Sequence, residues 1–206
     1  MSERATGADR LAAELRQRVL SGALEPGAPL REEALAEEFA LSRHTVRRSL
    51  ERLVAERLLV SEAYRGVRVT SFSEADVVSL QQLRTALESE AVRLIRVDHG
   101  ESWPSELVAP LLEAADRMAA DAAPEQAHST FHRALVSAAG SPRITEAYAR
   151  LDTEMLLFLR QLRSAYDGPR LCTEHCAYLE AVQRRGAAAV RQHLAESTAM
   201  LLASRE

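Results

Sequence analysis

The chain has 206 residues, enough for one large domain or two modest ones, and its 47% hydrophobic and 27% charged content is ordinary for a globular protein in water. A formal net charge of −4 argues against a protein that coats nucleic acid indiscriminately, yet it leaves room for a local basic surface. All 26 basic residues are Arg: residues 1–70 hold 12 against 11 acidic residues, and residues 71–206 hold 14 against 19.

The opening "MSERATGADRL" has no apolar run of the kind a secretory signal needs. The longest strongly apolar patch, "MLLFL" at 155–159, is too short to span a bilayer. The expectation is a cytoplasmic protein without a membrane partner. Cys172 and Cys176 make no disulfide framework. Although they flank His175 in "CTEHC", they read as small buried hydrophobes.

In chain order, residues 10–21 carry Leu11, Leu15, Val19 and Leu20 at helical spacing. "GALEPGAPL" is rich in Pro and Gly and reads as a loop. Residues 32–40 form a short helix with Leu35 and Phe39 on one face, and its acidic first turn suits the helix dipole. Ser42 reads as the N-cap of "RHTVRRSLERLVAERLL", which buries Val46, Leu50, Leu53 and Val54 and turns Arg43, His44, Arg47 and Arg48 outward. Two short strands follow, Leu58–Ser61 and Gly66–Thr70, joined by a turn. Helix, loop, short helix, basic helix and hairpin are the order of a winged helix-turn-helix: three helices with a small β-hairpin wing, assigned to residues 1–70.

From residue 71 to 206 the pattern is helical. Helices are expected near 74–97, 105–121, 125–139, 142–165, 171–185 and 187–204, separated by segments holding Pro, Gly or Asp. The fold class is therefore mainly α, a winged head followed by an antiparallel bundle of about six helices.

A recognition helix needs side chains that reach base edges and others that hold phosphate. Arg43 and Arg47, four residues apart, project from one face, and an arginine fork suits both tasks. Arg31 sits ahead of the second helix, and Arg65 and Gly66 lie at the hairpin. The stretch from "SGALEPGAPL" to "RGVRV" closely resembles the DNA-binding head of the GntR family of bacterial transcription regulators. The family's G-x-L-x-P-G-x-x-L loop, S-R-x-x-V-R helix and G-x-x-V wing are all present. The resemblance implies that Arg31, Arg43, Arg47 and Gly66 contact double-stranded operator DNA, with Ser42 and His44 as lesser candidates; Arg65 joins them as the residue beside Gly66 at the hairpin tip.

His128 and His132, at i and i+4, lie on one helix face and can reach a single ion; two histidines from other helices could close around it. The bland alternative is a pair of hydrogen-bonded core histidines. "LRTALESEAVRL" at 83–94 resembles the opening helix of the FCD effector domain, and "HSTFH", "EH" and "RGAAAVRQHL" resemble its later landmarks. That resemblance implies metal ligands at His128, His132, His175 and His193. The family usually has Asp where this chain has His128, so four imidazoles favour zinc or nickel, with copper or cobalt, over magnesium, calcium or manganese; the substitution also fits a site that has lost its metal. The family pattern further implies that Arg84 helps hold a small carboxylate metabolite. An Arg84–Glu88 pair at i, i+4 is the structural alternative.

The leading expectation is a homodimeric, ligand-responsive transcription regulator, foremost a repressor. Two others stand beside it. One is a regulator whose helical domain only dimerises; the other is a helical-bundle metalloenzyme. Against the enzyme, no HExxH is present and no carboxylate stands beside the histidines as an obvious general base.

Overall fold

The structure, a computed structural model, describes residues 6–121, 123–161 and 167–203. The ends foreseen for two bundle helices, 162–165 and 204, lie outside the described residues. The chain divides into two compact units, residues 1–71 and 72–206.

In the first unit, α1 (Gly7–Ser21) starts three residues before the apolar periodicity does, because Thr6 and Asp9 form a reciprocal capping box. Its Leu11, Leu15 and Val19 are buried, and α1 packs on α3 (Arg43–Ala55), which buries Val46, Leu50 and Leu53. Ser49 ties the two helices by donating to Ala8 O at 2.9 Å. Between them lies α2 (Glu32–Glu38), and a left-handed Ala40 (φ 52°) turns the chain toward the Ser42 cap. Helix α3 stops earlier than its apolar pattern suggests: Arg57 at φ 58° reverses the chain into β2 (Leu59–Glu62).

The wing has a strand that the sequence did not announce. Pro29–Leu30 forms β1 and pairs antiparallel with β3 (Gly66–Val69), giving a sheet of order β1-β3-β2. The loop reading of this stretch failed because two residues, one of them Pro, show no alternation to read. The pairing comes from β3, whose Val69 N–H donates to Ala28 O at 2.9 Å while Val69 O accepts from Gly27 N–H at 3.0 Å.

Among the described residues the second unit has six helices: α4 (Glu74–His99), α5 (Ser105–Ala120), α6 (Pro124–Ser137), α7 (Pro142–Gln161), α8 (Gly168–Arg185) and α9 (Ala187–Ala203). Helix α6 touches α4, α5, α7 and α8, which is why nine of its 14 residues are buried. Phe131 on α6 joins Ile95, Leu111, Met118, Val182 and Leu194 in the core. Cys172 and Cys176 are free, half-buried and packed against that core. Among the described residues no helix is long and apolar enough to cross a membrane.

Helix α4 begins with a second capping box, Ser73 with Asp76. Ser73→Ala removes an acceptor for the Asp76 N–H and should lower stability by about 1 kcal/mol, seen as a lower urea midpoint at unchanged helicity; Ser73→Asp, which can still cap, should retain most of it.

Candidate metal centre and nucleic-acid interface

On the head, Arg43, His44 and Arg47 are exposed along α3, and Ser42 caps that helix by accepting from Thr45 N–H at 3.1 Å. Arg31 is exposed just before α2; Arg65 and Gly66 are exposed where β3 begins, with Gly66 at φ 74°. All seven DNA-contact candidates are thus open to solvent. The acidic first turn of α2 does more than complement a dipole. Glu33 meets Arg43 Nη2 at 2.7 Å, and Glu32 takes Arg47 through both Nε (3.1 Å) and Nη2 (2.9 Å). Arg65 faces Glu62 at 3.6 Å.

In the bundle, His128, His132 and His175 are buried, and their ligating nitrogens all lie within 4.8 Å of one another. Helix α6 supplies the first two and α8 the third. His193, from α9, stands beside the three: its ring is 5.1 Å from that of His175 and 5.5 Å from that of His132, and it stacks on Tyr178 at 4.0 Å.

Proton positions on two of these rings follow from their partners. His175 Nδ1 lies 2.8 Å from Leu171 O, an acceptor only, so Nδ1 carries the hydrogen and Nε2 a lone pair. His132 Nδ1 lies 2.9 Å from the Glu88 carboxylate, so it too donates there and leaves its Nε2 bare. The two bare Nε2 atoms face each other at 3.2 Å. Two lone pairs at that distance repel unless a cation lies between them. Two nitrogens sharing a tetrahedral zinc at bonds of ~2.0–2.1 Å sit about 3.3 Å apart. Protons are poor substitutes, because burial drives the pKa of His132 well below its usual range and that of His175 to about 4. Burial also lowers His128 strongly and brings His193 to about 3. Three of these imidazoles, those of His128, His132 and His175, could hold a metal ion.

Behind the histidines lies a buried network that the sequence reading saw only in part. Glu88 Oε1 accepts from Arg84 Nε (3.1 Å) and Tyr148 OH (2.8 Å); Oε2 accepts from Tyr178 OH at 3.3 Å as well as from His132. Burial works against the charge on Arg84, while Tyr148 and Glu88 raise its pKa, so the guanidinium stays charged. Its Nη1 donates to Gln81 Oε1 at 2.8 Å. The carboxylate that Arg84 meets is therefore one from its own chain, the pairing given above as the structural alternative. Glu88 was legible only as a helix neighbour of Arg84, since nothing in the spacing links residue 88 to residue 132. Tyr148 carried no signal at all.

A cavity of about 340 Å³ opens between α8 and α9 onto His128, His175 and His193. Arg170, Arg185, Gln192 and Ser197 also line it; Arg84 does not. Arg170 is paired with Glu174 at 2.6 Å and Arg185 with Gln192 at 2.7 Å.

Residues 8–69 match the bacterial regulatory proteins of the gntR family, and residues 79–199 match the FCD domain. The chain belongs to the GntR family of bacterial regulatory proteins and carries an FCD domain. Among its relatives, the HTH-type transcriptional repressor GlaR of Escherichia coli is 29% identical over 66% of this chain, a match spanning 65% of that protein's own length. The gluconate operon transcriptional repressor of Bacillus subtilis is 29% identical over 94% of this chain and 82% of its own. A crystal structure of a GntR transcriptional regulator from Rhodococcus sp. RHA1 superposes with a TM-score of 0.73 at 26% identity, covering 95% of this chain and 97% of that one.

Glu88→Ala should leave Arg84 charged and buried without a counterion and cost about 3–5 kcal/mol, measured as loss of the bundle's denaturation midpoint. Phe substitution at Tyr148, which removes one donor but no charge, should cost much less.

Proposed function

We propose that this chain is an operator-binding transcription repressor whose helical unit holds a divalent transition metal and takes up a small organic acid that weakens its grip on DNA. In this reading residues 1–70 read DNA and residues 71–206 bind effector and pair two chains into a homodimer, each head meeting one half of a palindromic site. The observation that carries the metal is the convergence of the His132 and His175 lone pairs at 3.2 Å. His128 would complete a triad, with His193 near enough to serve as a fourth ligand. Zinc or nickel suits an all-imidazole set.

Bound there, the metal would supply a Lewis-acid anchor for a carboxylate. The chain's own residues do the rest. Glu88 fixes the tautomer of His132, and Arg84 holds Glu88 in place. At the cavity, Gln192 and Ser197 offer hydrogen bonds to hydroxyl groups, and the wall carries Arg170 and Arg185 beside Glu174 and Glu196, so the acid's charge would be met by the metal rather than by the wall. A cavity of about 340 Å³ suits a small hydroxy acid. That one relative is a gluconate operon repressor makes D-gluconate the first probe. On the head, Arg31, Arg43 and Arg47 would carry the main contacts, with Ser42, His44, Arg65 and Gly66 in support. The coupling between the two sites belongs in the range of ~1–3 kcal/mol.

Elemental analysis of protein purified without chelators should find one metal ion per chain, and His132→Ala should lose it while keeping its helicity. Wild type free of stoichiometric metal would sink this part of the reading. On duplex sites selected from a random pool, affinity should fall steeply with salt, with a log–log slope of several units, and millimolar D-gluconate should weaken binding about 5–150-fold. Unaltered binding with gluconate and with a panel of other small hydroxy acids would remove the effector.

A further inference from the structure

Carboxylates on a surface that meets DNA need explaining, because they repel phosphate at every site alike. Glu32 and Glu33 occupy the first turn of α2, directly against the exposed arginines of α3. The two pairs differ in geometry. Glu33 meets Arg43 Nη2 through Oε1 at 2.7 Å. Glu32 engages Arg47 side-on, with Oε1 on Nε at 3.1 Å and Oε2 on Nη2 at 2.9 Å.

A guanidinium has five N–H groups. The side-on pair uses Nε–H and one hydrogen of Nη2. It leaves the end-on edge free, where one hydrogen from each Nη points the same way. That free edge is the fork that matches guanine O6 and N7. An unpaired arginine would spread over several rotamers and settle on phosphates as readily as on bases. A bidentate partner 15 residues away, on a different helix, biases that distribution toward one orientation before DNA arrives.

Resting on the operator reading above, we propose that Glu32 is a positioning residue that aims the end-on edge of Arg47 at a guanine, so that it contributes base discrimination and no general affinity. The mutual pairing, which lowers the pKa of Glu32 and raises that of Arg47, keeps both groups charged under the conditions where DNA is bound.

The test uses the full chain. Sites are selected from a randomised duplex pool with wild type, E32Q, R47A and R47K, and each protein's affinity is measured for the wild-type consensus and for an unrelated duplex. Thermal unfolding of each variant checks that the head is folded; Gln is isosteric with Glu and lies at the surface. R47A and R47K should lose base preference at one position of each half-site. E32Q should relax that same position, weaken consensus binding roughly tenfold, and bind the unrelated duplex as well as or better than wild type. The E32Q/R47A double variant should be no worse than R47A alone. If E32Q keeps the full motif and tightens both duplexes equally, the carboxylate is only a repulsive charge and the proposal is wrong. Relaxation at a different position from R47A would make Glu32 a reader in its own right, which also overturns it. A motif unchanged in R47A would instead remove the operator reading of α3, and this inference with it.

Discussion

A carboxylate enclosed by protein must be neutralised and hydrogen-bonded, or it will take up a proton or unfold its surroundings. Glu88 meets that requirement four times over, through Arg84, Tyr148, Tyr178 and His132, and each partner is thereby fixed in turn. The histidine cluster depends on it. With Glu88 in place, His132 can present only one face to the centre of the bundle, and the ring's tautomer ceases to be free. Helices α4, α6, α7 and α8 are stitched together by this one side chain.

The head is organised by the same kind of pairing under different conditions. There the carboxylates of Glu32 and Glu33 remain partly in water, where ion pairs stabilise little by themselves. Their effect is on direction. An arginine held at two atoms has a defined free edge; an arginine held at none has only a charge. The buried pair orients an imidazole and the exposed pair orients a guanidinium, and in both a carboxylate on a neighbouring helix narrows the rotamers of its partner.

Much of this was legible in the sequence because helices and caps are local. The periodicity around Leu11, Leu50 and Leu53, the Ser42 and Ser73 caps, and the i, i+4 spacing of His128 and His132 all report on nearest neighbours along one helix. What escaped depends on contacts distant in sequence. Strand β1 exists only because β3 returns to it, 37 residues after Leu30 in the pairing with Val67. The contact of Glu88 with His132 crosses 44 residues. Glu32 looked like a helix-dipole residue because Arg47 lies on another helix. Arg84 was marked by the family's opening-helix pattern, and its two partners were an effector and Glu88. Only the packed structure says that Glu88 is within reach and that the cavity wall lies elsewhere.

His175 spends its Nδ1 hydrogen on Leu171 O, the carbonyl one turn earlier in its own helix. The imidazole is thus braced against the first part of α8 and not against a distant loop, and its aim is indexed to that backbone. The same stretch of α8 carries Arg170, one residue before Leu171, and Glu174, one residue before His175, and both line the cavity. The ring that faces the bundle's centre and the charged side chains that line the cavity are thus set by one continuous stretch of helix, with no loop in between.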